Sequence, residues 1–376
     1  MIALLSIFFL LLTALFTVVI TFLIIGWHLV KNPRVKTSGH TTRVTILIAA
    51  RNEEEKIHLT IEDILAQDYP KELTEIIIAD DHSTDRTSAI IKSYAGRGVK
   101  LLQLNEDKPL NSYKKKAIGL AIGMSTGDLM VATDADCRMG GKWLSTIVGY
   151  FEANQPYMIS SPVSYFEDKS LFERMQTLEF YTLIATGAAF IGHNHASTCN
   201  GANLAYRKDI FYEVGGFMGI DDLASGDDEL LLQKVAARFP GKIGFLKSFD
   251  AVVYTHAKPN LKEFLQQRRR WASKSVKYKD KKVVAVVVGL WLFNVSVGVN
   301  LLLGFYNNVF FEICAGQLLL MALLELILLL PVTTFFKRRS LLVLIPISIP
   351  LYVTYFIYIG LIGNKGKYLW KGRMVR

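Results

Sequence analysis

Cysteine is scarce. Cys137, Cys199 and Cys314 are the only three in 376 residues, and no two of them are close in sequence. An odd, scattered set offers neither a disulfide framework nor a CxxC metal site, which fits a reducing compartment. The chain also lacks GxGxxG and GxxxxGK[ST]. The dinucleotide fingerprint and the P-loop are thereby excluded, so any bound phosphate must be held by a metal ion or by side chains. His193 and His195 have no third ligand at useful spacing and read as ordinary loop histidines. The last absence is of charge: residues 2–30 contain no Lys, Arg, Asp or Glu.

That run is longer than the roughly 20 residues needed to cross a bilayer. It has no positive n-region and no small-x-small cleavage pattern, so it reads as a transmembrane anchor and not as a signal peptide. Three more apolar segments follow, at about 283–305, 309–336 and 341–362. With 51% hydrophobic residues, mean hydropathy +0.29 and net charge +10, the chain is too apolar to be soluble throughout and too charged in its middle to be membrane throughout. The expected organisation is an N-terminal transmembrane helix (1–30), a polar domain (31–282), a membrane region of about three segments (283–363) and a basic tail (364–376). Lys31, Arg34 and Lys36 follow the first span, and Lys274, Lys277, Lys279, Lys281 and Lys282 precede the second. By the positive-inside rule the polar domain is cytoplasmic, at the inner membrane if the source is bacterial, and Lys337, Arg338 and Arg339 agree. If the third segment crosses, however, Lys365, Lys367, Lys371, Arg373 and Arg376 fall on the wrong side. Pro346 and Pro350 would allow the last segment to be re-entrant or interfacial instead, and the side of the tail stays open. The basic excess is expected to meet lipid headgroups and phosphates, with no nucleic acid, because no recognisable nucleic-acid module accompanies it.

Within the polar domain, residues 44–50, 73–79, 99–104 and 129–136 read as apolar strands, and a stretch whose first turn holds the acids of 51–55 and which continues to about 66, together with 86–95 and 114–124, as helices. Such alternation implies βαβ units and a mostly parallel sheet with helices on both faces. The fourth strand ends in Asp134-Ala135-Asp136. Residues two apart on a strand share a face, so both carboxylates can turn toward one hard cation, Mg²⁺ or Mn²⁺. Asn52, Glu53, Asp80 and Asp81 follow the ends of the first two strands, at the edge where open α/β sheets bind ligands. Lys114, Lys115 and Lys116 precede the fourth strand and are placed to meet a diphosphate; their position at a helix N-terminus, unfavourable for cations, favours function over a solvated face.

Further along, 157–163 reads as a strand, and 170–190 as a helix that lies on the membrane surface or in the core, the surface being favoured. Residues 198–207 read as a small-residue loop through which backbone can approach a sugar. Asp227, Asp228 and Glu229 open a helix through Arg238. Acids there suit the helix dipole, yet three exceed what capping needs, and one carboxylate over a sugar hydroxyl would serve as general base. The helix at 261–272 is amphipathic, with Leu261, Phe264, Leu265 and Arg268 on one side, and is expected to be interfacial.

The order of these motifs resembles the membrane-bound family-2 glycosyltransferases, the group of cellulose, chitin and hyaluronan synthases and ceramide glucosyltransferase. The matching pieces are Ala50-Arg51-Asn52-Glu53, Asp80 to Asp85, Asp134-Ala135-Asp136, Gly226-Asp227-Asp228 and Gln267 to Trp271; the tail Trp370-Lys371-Gly372-Arg373 looks like one found in small members. The resemblance implies a GT-A, Rossmann-like fold and inverting hexosyl transfer from a nucleotide-diphosphate sugar, UDP-linked by family frequency. It implies base and ribose contacts from Asp80 and Asp81 with Asn52 and Glu53 nearby, metal on Asp136 with Asp134, and Asp228 as base ahead of Asp227. Gln267, Arg270 and Trp271 would close over the diphosphate and acceptor. His82 stands where Gly is more usual, and Gly226-Asp227-Asp228 replaces Thr-Glu-Asp or Gly-Glu-Asp. Few spans favour a lipid or lipid-linked glycan acceptor over processive polysaccharide synthesis. A nucleotidyltransferase would not explain the Gln-Arg-Arg-Arg-Trp helix, and a non-enzymatic membrane scaffold with a decayed transferase domain would not retain these acids.

Overall fold

The computed structural model describes the chain except for residues 1, 106–109, 111, 224, 274–277, 279–280, 363–367, 371–372 and 376. Lys274, Lys277, Lys279, Lys365, Lys367, Lys371 and Arg376 therefore lie outside the described residues. The elements run in chain order as α1 (Ile2–Leu29), β1 (Val44–Ala50), α2 (Ile57–Leu65), β2 (Thr74–Asp80), α3 (Thr87–Ser93), β3 (Val99–Gln103), α4 (Tyr113–Met124) and β4 (Leu129–Asp134). Next come β5 (Arg138–Met139), α5 (Trp143–Asn154), β6 (Met158–Ser160), β7 (Val163–Tyr165), α6 (Leu171–Gly192), β8 (Leu204–Arg207), α7 (Lys208–Glu213), α8 (Glu229–Arg238), β9 (Ile243–Phe245) and β10 (Val253–Thr255). The last are α9 (Leu261–Ala272), α10 (Lys281–Leu303), α11 (Asn308–Phe335), α12 (Ile345–Ile362), β11 (Tyr368–Trp370) and β12 (Arg373–Val375).

Two compact units divide these elements. The sheet unit comprises Leu29–Glu167, Phe190–Ala257 and Lys367–Arg376, and the membrane unit Met1–His28, Asp168–Ala189 and Lys258–Gly366. In the sheet unit, seven strands run in the order β3-β2-β1-β4-β8-β6-β9. The β1–β2, β1–β4, β2–β3 and β6–β9 pairs are parallel, and β8 is antiparallel to both neighbours, so the sheet is mostly parallel. Ile46, Leu47, Ile48, Ile77, Ile78, Met130 and Val131 are essentially solvent-free. Unbroken β-branched and apolar runs are what a sheet covered on both faces requires.

Three readings change. The strand expected at 157–163 is two: β6 belongs to the main sheet, while β7 pairs with β10 in a second, three-stranded sheet. Pro162 lies between them and has no N–H to continue a ladder. Half of the expected loop at 198–207 is β8, a central strand, whose four residues are too few for an alternation to stand out. The helix expected on the membrane surface is instead packed in protein: Leu178, Phe180, Tyr181, Ala185, Ala188 and Ala189 are buried, and Tyr181 stacks on Phe336 at 4.2 Å.

In the membrane unit, α1, α10, α11 and a segment from Arg339 to Ile362 are long and apolar enough to cross a membrane. Phe16 stacks on Phe293 at 4.2 Å, tying α1 to α10. Gln317 on α11 donates to Thr13 and Ser296 and accepts from Asn300, each at 3.0 Å. Hydrogen bonds of this kind join helices where lipid offers no hydrophobic contrast.

Candidate active site

The parallel register brings three strand ends flush, with Ala50 opposite Asp80 and Ala49 opposite Asp134. The edge expected to gather Asn52, Asp80, Asp81 and Asp134 therefore exists as one surface.

At its β2 end the acids are tightly engaged. The buried Asp80 carboxylate accepts from the Ser83 amide at 3.2 Å, from the Ser83 hydroxyl, and from Ser88 Oγ at 2.5 Å. The buried Asp81 carboxylate accepts from Arg373 Nη1 on β12 at 2.7 and 3.0 Å and lies 3.1 Å from His82 Nδ1. His82 has φ +52°, the left-handed region, which accounts for glycine being usual there. Asn52, at φ +50°, donates its amide to Ser83 Oγ at 3.0 Å and accepts from the Thr84 amide at 2.9 Å, while the Glu53 amide donates to Thr87 Oγ1 at 2.8 Å. Arg51 donates to the carbonyls of Asp81 and His82 at 2.7 and 2.8 Å. Burial, and then the Arg373 charge, hold Arg51 below the usual arginine range. Beside this turn is a cleft of about 310 Å³ lined by Asn52, Glu53, Glu54, Glu55, Lys56 and Asp85.

At its β4 end the balance differs. The strand stops at Asp134, so Asp136 lies in the following turn and not on the strand with it. Lys114 Nζ stands 2.8 Å from Asp134 and 3.1 Å from Asp227. Burial alone would lower its pKa, but Asp134, Asp227 and Asp228 together hold it above the usual lysine range. Asp136 makes no hydrogen bond or ion pair among the described residues. Its charge is nonetheless felt, since burial pushes the Cys137 thiol up and Asp136 and Asp134 push it further.

Lys115, expected beside Lys114 at a diphosphate, is turned to another task. It is 2% exposed, and its three N–H bonds are matched by the carbonyls of Ile220, Leu223 and Ser225 at 2.6, 2.8 and 2.7 Å. Adjacent helical positions point about 100° apart, so one lysine reaches the acids and the next the loop. Burial pushes the Lys115 amine down to about 8.

Asp228 is the N-cap of α8. One carboxylate oxygen accepts from the Glu229 amide at 2.6 Å and the other from the Gly201 amide at 3.0 Å. A Cβ on Gly201 would lie 3.2 Å from this carboxylate. The backbone at 201 thus makes a close approach to Asp228, where the sequence anticipated one to a sugar. Asn203, fully buried, fixes that loop: it accepts from Trp143 Nε1 at 3.0 Å and donates to the carbonyls of Pro162 and Ala251 at 2.8 and 2.7 Å.

Gln267, Arg270 and Trp271 stand on α9, in the membrane unit. On the face expected to be apolar, Phe264 and Arg268 are buried in protein and Leu261 is 57% exposed. Arg268 is bonded through Nε and Nη2 to Glu179, donates to Gln267 Oε1 at 2.6 Å, and lies 4.4 and 4.3 Å from the ring centroids of Phe264 and Trp271. Arg268 therefore orients both Gln267 and Trp271. Its place on the apolar face was the sequence signal for that role. The sequence marked the loop holding Gly201 and Asn203 and the tail motif ending in Arg373, but not their partners Asp228, Trp143 and Asp81.

Among the described residues no three His, Cys, Asp or Glu side chains form a metal cage. Asp134 and Asp136 nonetheless suit a hard divalent ion, which takes one or two carboxylates and completes its shell with water and substrate phosphate. The Lys114 ammonium on Asp134 marks the place as one that accepts positive charge.

Residues 45–215 match the family described as Glycosyl transferase family 2, so the chain carries a domain of that family. It is 28% identical over 249 residues to the probable glycosyltransferase YdaM of Bacillus subtilis, covering 61% of this chain and 54% of that protein. It is 30% identical over 109 residues to the beta-monoglucosyldiacylglycerol synthase of Synechocystis, covering 29% of this chain and 23% of that protein. The chain thus spans about half or less of the length of these relatives. Among solved structures, the mannosyltransferase PcManGT of Pyrobaculum calidifontis, in complex with GDP-Man and Mn²⁺, superposes with TM-score 0.59 at 19% identity, covering 93% of this chain and 99% of that one. That likeness is one of fold, and the fold is GT-A-like.

Proposed function

We propose that this chain, built on its family 2 glycosyl transferase domain, transfers a sugar from a nucleotide-diphosphate sugar to a lipid or lipid-linked glycan acceptor at the membrane, with inversion and with Mg²⁺ or Mn²⁺. The observation that carries the reading is the cluster at the end of β4, where Asp134, Asp227 and Asp228 surround Lys114 and Asp136 makes no hydrogen bond or ion pair among the described residues. An acidic edge of that kind needs cations, and a metal-bound diphosphate brings them.

Asp134 and Asp136 would hold the ion, which when bound neutralises charge growing on the leaving diphosphate. Lys114 would add a compact positive charge at the same end. Asp228 takes the proton of the acceptor hydroxyl as its oxygen bonds the sugar's anomeric carbon and the bond to the diphosphate breaks on the opposite face. Asp227, paired with Lys114, is the weaker candidate for base because its charge is already shared. Asp80, Asp81, Asn52 and Glu53 would shape the seat for base and ribose, and Gln267, Arg270 and Trp271 would cover the diphosphate and acceptor. The Synechocystis relative's name, a diacylglycerol glycolipid synthase, supports a lipid acceptor. The basic flanks of the apolar segments support a cytoplasmic domain.

The purified protein in detergent, with Mg²⁺ or Mn²⁺ and a panel of UDP- and GDP-sugars, should release nucleoside diphosphate. Absence of release from every donor, or full activity in both Asp136→Asn and Asp228→Asn, overturns the proposal.

A further inference from the structure

The sequence left the tail without a side of the membrane, and a contact inside the sheet unit bears on it. Arg373 Nη1 reaches both oxygens of the buried Asp81 at 2.7 and 3.0 Å, and its guanidinium lies 3.8 Å from the ring centroid of Tyr113. The Tyr113 ring also takes the edge of His82 at 5.7 Å. Arg373 is thus wedged between the turn after β2 and the start of α4. A half-buried ion pair reinforced by an aromatic face is a specific seat, unlike a basic tail resting on a surface.

We propose that the β11–β12 hairpin is a wall of the nucleotide-binding edge, with Arg373 the positioning residue for Asp81, and that α12 therefore enters and leaves the bilayer on the sheet unit's side. The second half follows from chain length. Ile362 ends α12 and Tyr368 begins β11. Residues 363–367 between them span about 20 Å at most, against a hydrocarbon core of about 30 Å. Ahead of α12, Arg338 donates to both oxygens of Asp168, a membrane-unit residue one position after Glu167 of the sheet unit, at 2.5 and 2.6 Å, so the short chain link again leaves no length to cross a bilayer. Midway, the Tyr355 hydroxyl donates to Glu179 at 2.8 Å, and its ring meets Phe264 of α9 at 5.4 Å. With α10 and α11 as a hairpin of crossings, every basic cluster, from Lys31 to Arg376, then falls on one side, and the conflict with the positive-inside rule disappears.

Single cysteines in a background with Cys137, Cys199 and Cys314 replaced by Ala test the sidedness in sealed membrane vesicles with a membrane-impermeant maleimide. Asn364→Cys should label from the same side as Lys71→Cys in the sheet unit and from the opposite side to Tyr306→Cys, in the exposed α10–α11 turn. Labelling with Tyr306→Cys, or from both sides, overturns the inference. The positioning role rests on the transferase reading. There, Arg373→Ala should raise the donor KM about tenfold with a smaller change in kcat, and Arg373→Lys should recover part of the loss. An unchanged donor KM in Arg373→Ala refutes it, and if that variant does not fold, an unchanged donor KM in Arg373→Lys does so. A wild-type protein that binds no nucleotide removes the transferase reading, and the labelling result still decides the side of the tail.

Discussion

Asp80 and Asp81, after β2, engage their carboxylates with serines and an arginine of the same unit, whereas after β4 Asp134 and Asp227 share Lys114 and Asp136 makes no ion pair among the described residues. The first arrangement is a finished shape: its bonds hold a turn in a strained backbone region and leave its form independent of any ligand. The second is an unfinished charge balance, and on the proposed function a divalent ion would finish it. On the proposed function, recognition and chemistry would be separated in this way along one sheet edge. Two of the three lysines at the start of α4 repeat the contrast in miniature, Lys114 facing charge and Lys115 facing carbonyl dipoles.

The strongest way to break the comparison is to remove charge from the unfinished side. Asp136→Asn and Asp228→Asn should each lower kcat by roughly 10²- to 10⁴-fold, read as nucleoside diphosphate release, with the thermal midpoint of Asp136→Asn near that of wild type. Retained turnover in Asp136→Asn would mean that the surplus charge is not the seat of the metal. Next in size, Lys115→Met leaves three buried carbonyls without a donor and should cost about 3 kcal/mol of stability, visible as a lowered midpoint in detergent, with the donor KM unaltered. A raised donor KM would return Lys115 to the diphosphate. A smaller effect is expected for Lys114→Met. Taking away the competing ammonium should let the divalent ion reach half-maximal effect at a concentration several-fold lower, on the order of 3- to 10-fold, even as kcat falls. An unchanged metal dependence would make Lys114 a purely structural link.

The smallest effect is one of pH. Folded Lys115 gives up its proton at about 8, against 10.5 for an unburied lysine. Between those values the unfolded chain binds more protons, so stability rises with pH. Moving from pH 8 to 9 should stabilise wild type relative to Lys115→Met by about 1 kcal/mol, and the difference between them should be nearly flat well below pH 8. A difference that shrinks over that interval would show that the ammonium is favoured by its three carbonyls more than burial disfavours it.

Much of the sheet edge was legible because parallel strands buried on both faces leave long apolar runs that stop abruptly. Val44–Ala50, Thr74–Asp80 and Leu129–Asp134 are such runs, and their ends carry the residues that matter. What escaped is short or distant. β8, β9 and β10 have three or four residues each, too few for any period to emerge. Asp136 was placed on a strand that had already ended, because the Asp-x-Asp spacing is equally compatible with a strand and a turn. Lys115 was taken with its neighbour because a run of three lysines hides the roughly 100° rotation between successive helical residues. Arg373 lies 292 positions from Asp81, and nothing local announces such a pairing.

Gly201 carries a last consequence. Because Asp228 is fixed by main-chain amides, and the loop that supplies one of them is anchored through the buried Asn203, the carboxylate's position belongs to the scaffold and not to the side chains lining the pocket. If Asp228 is the base, as proposed, residues around the acceptor are then free to diverge, and with them the range of hydroxyls accepted, while the proton's destination stays put. Any residue larger than glycine at 201 would instead push on Asp228 itself, so this position separates changes of taste from loss of the reaction.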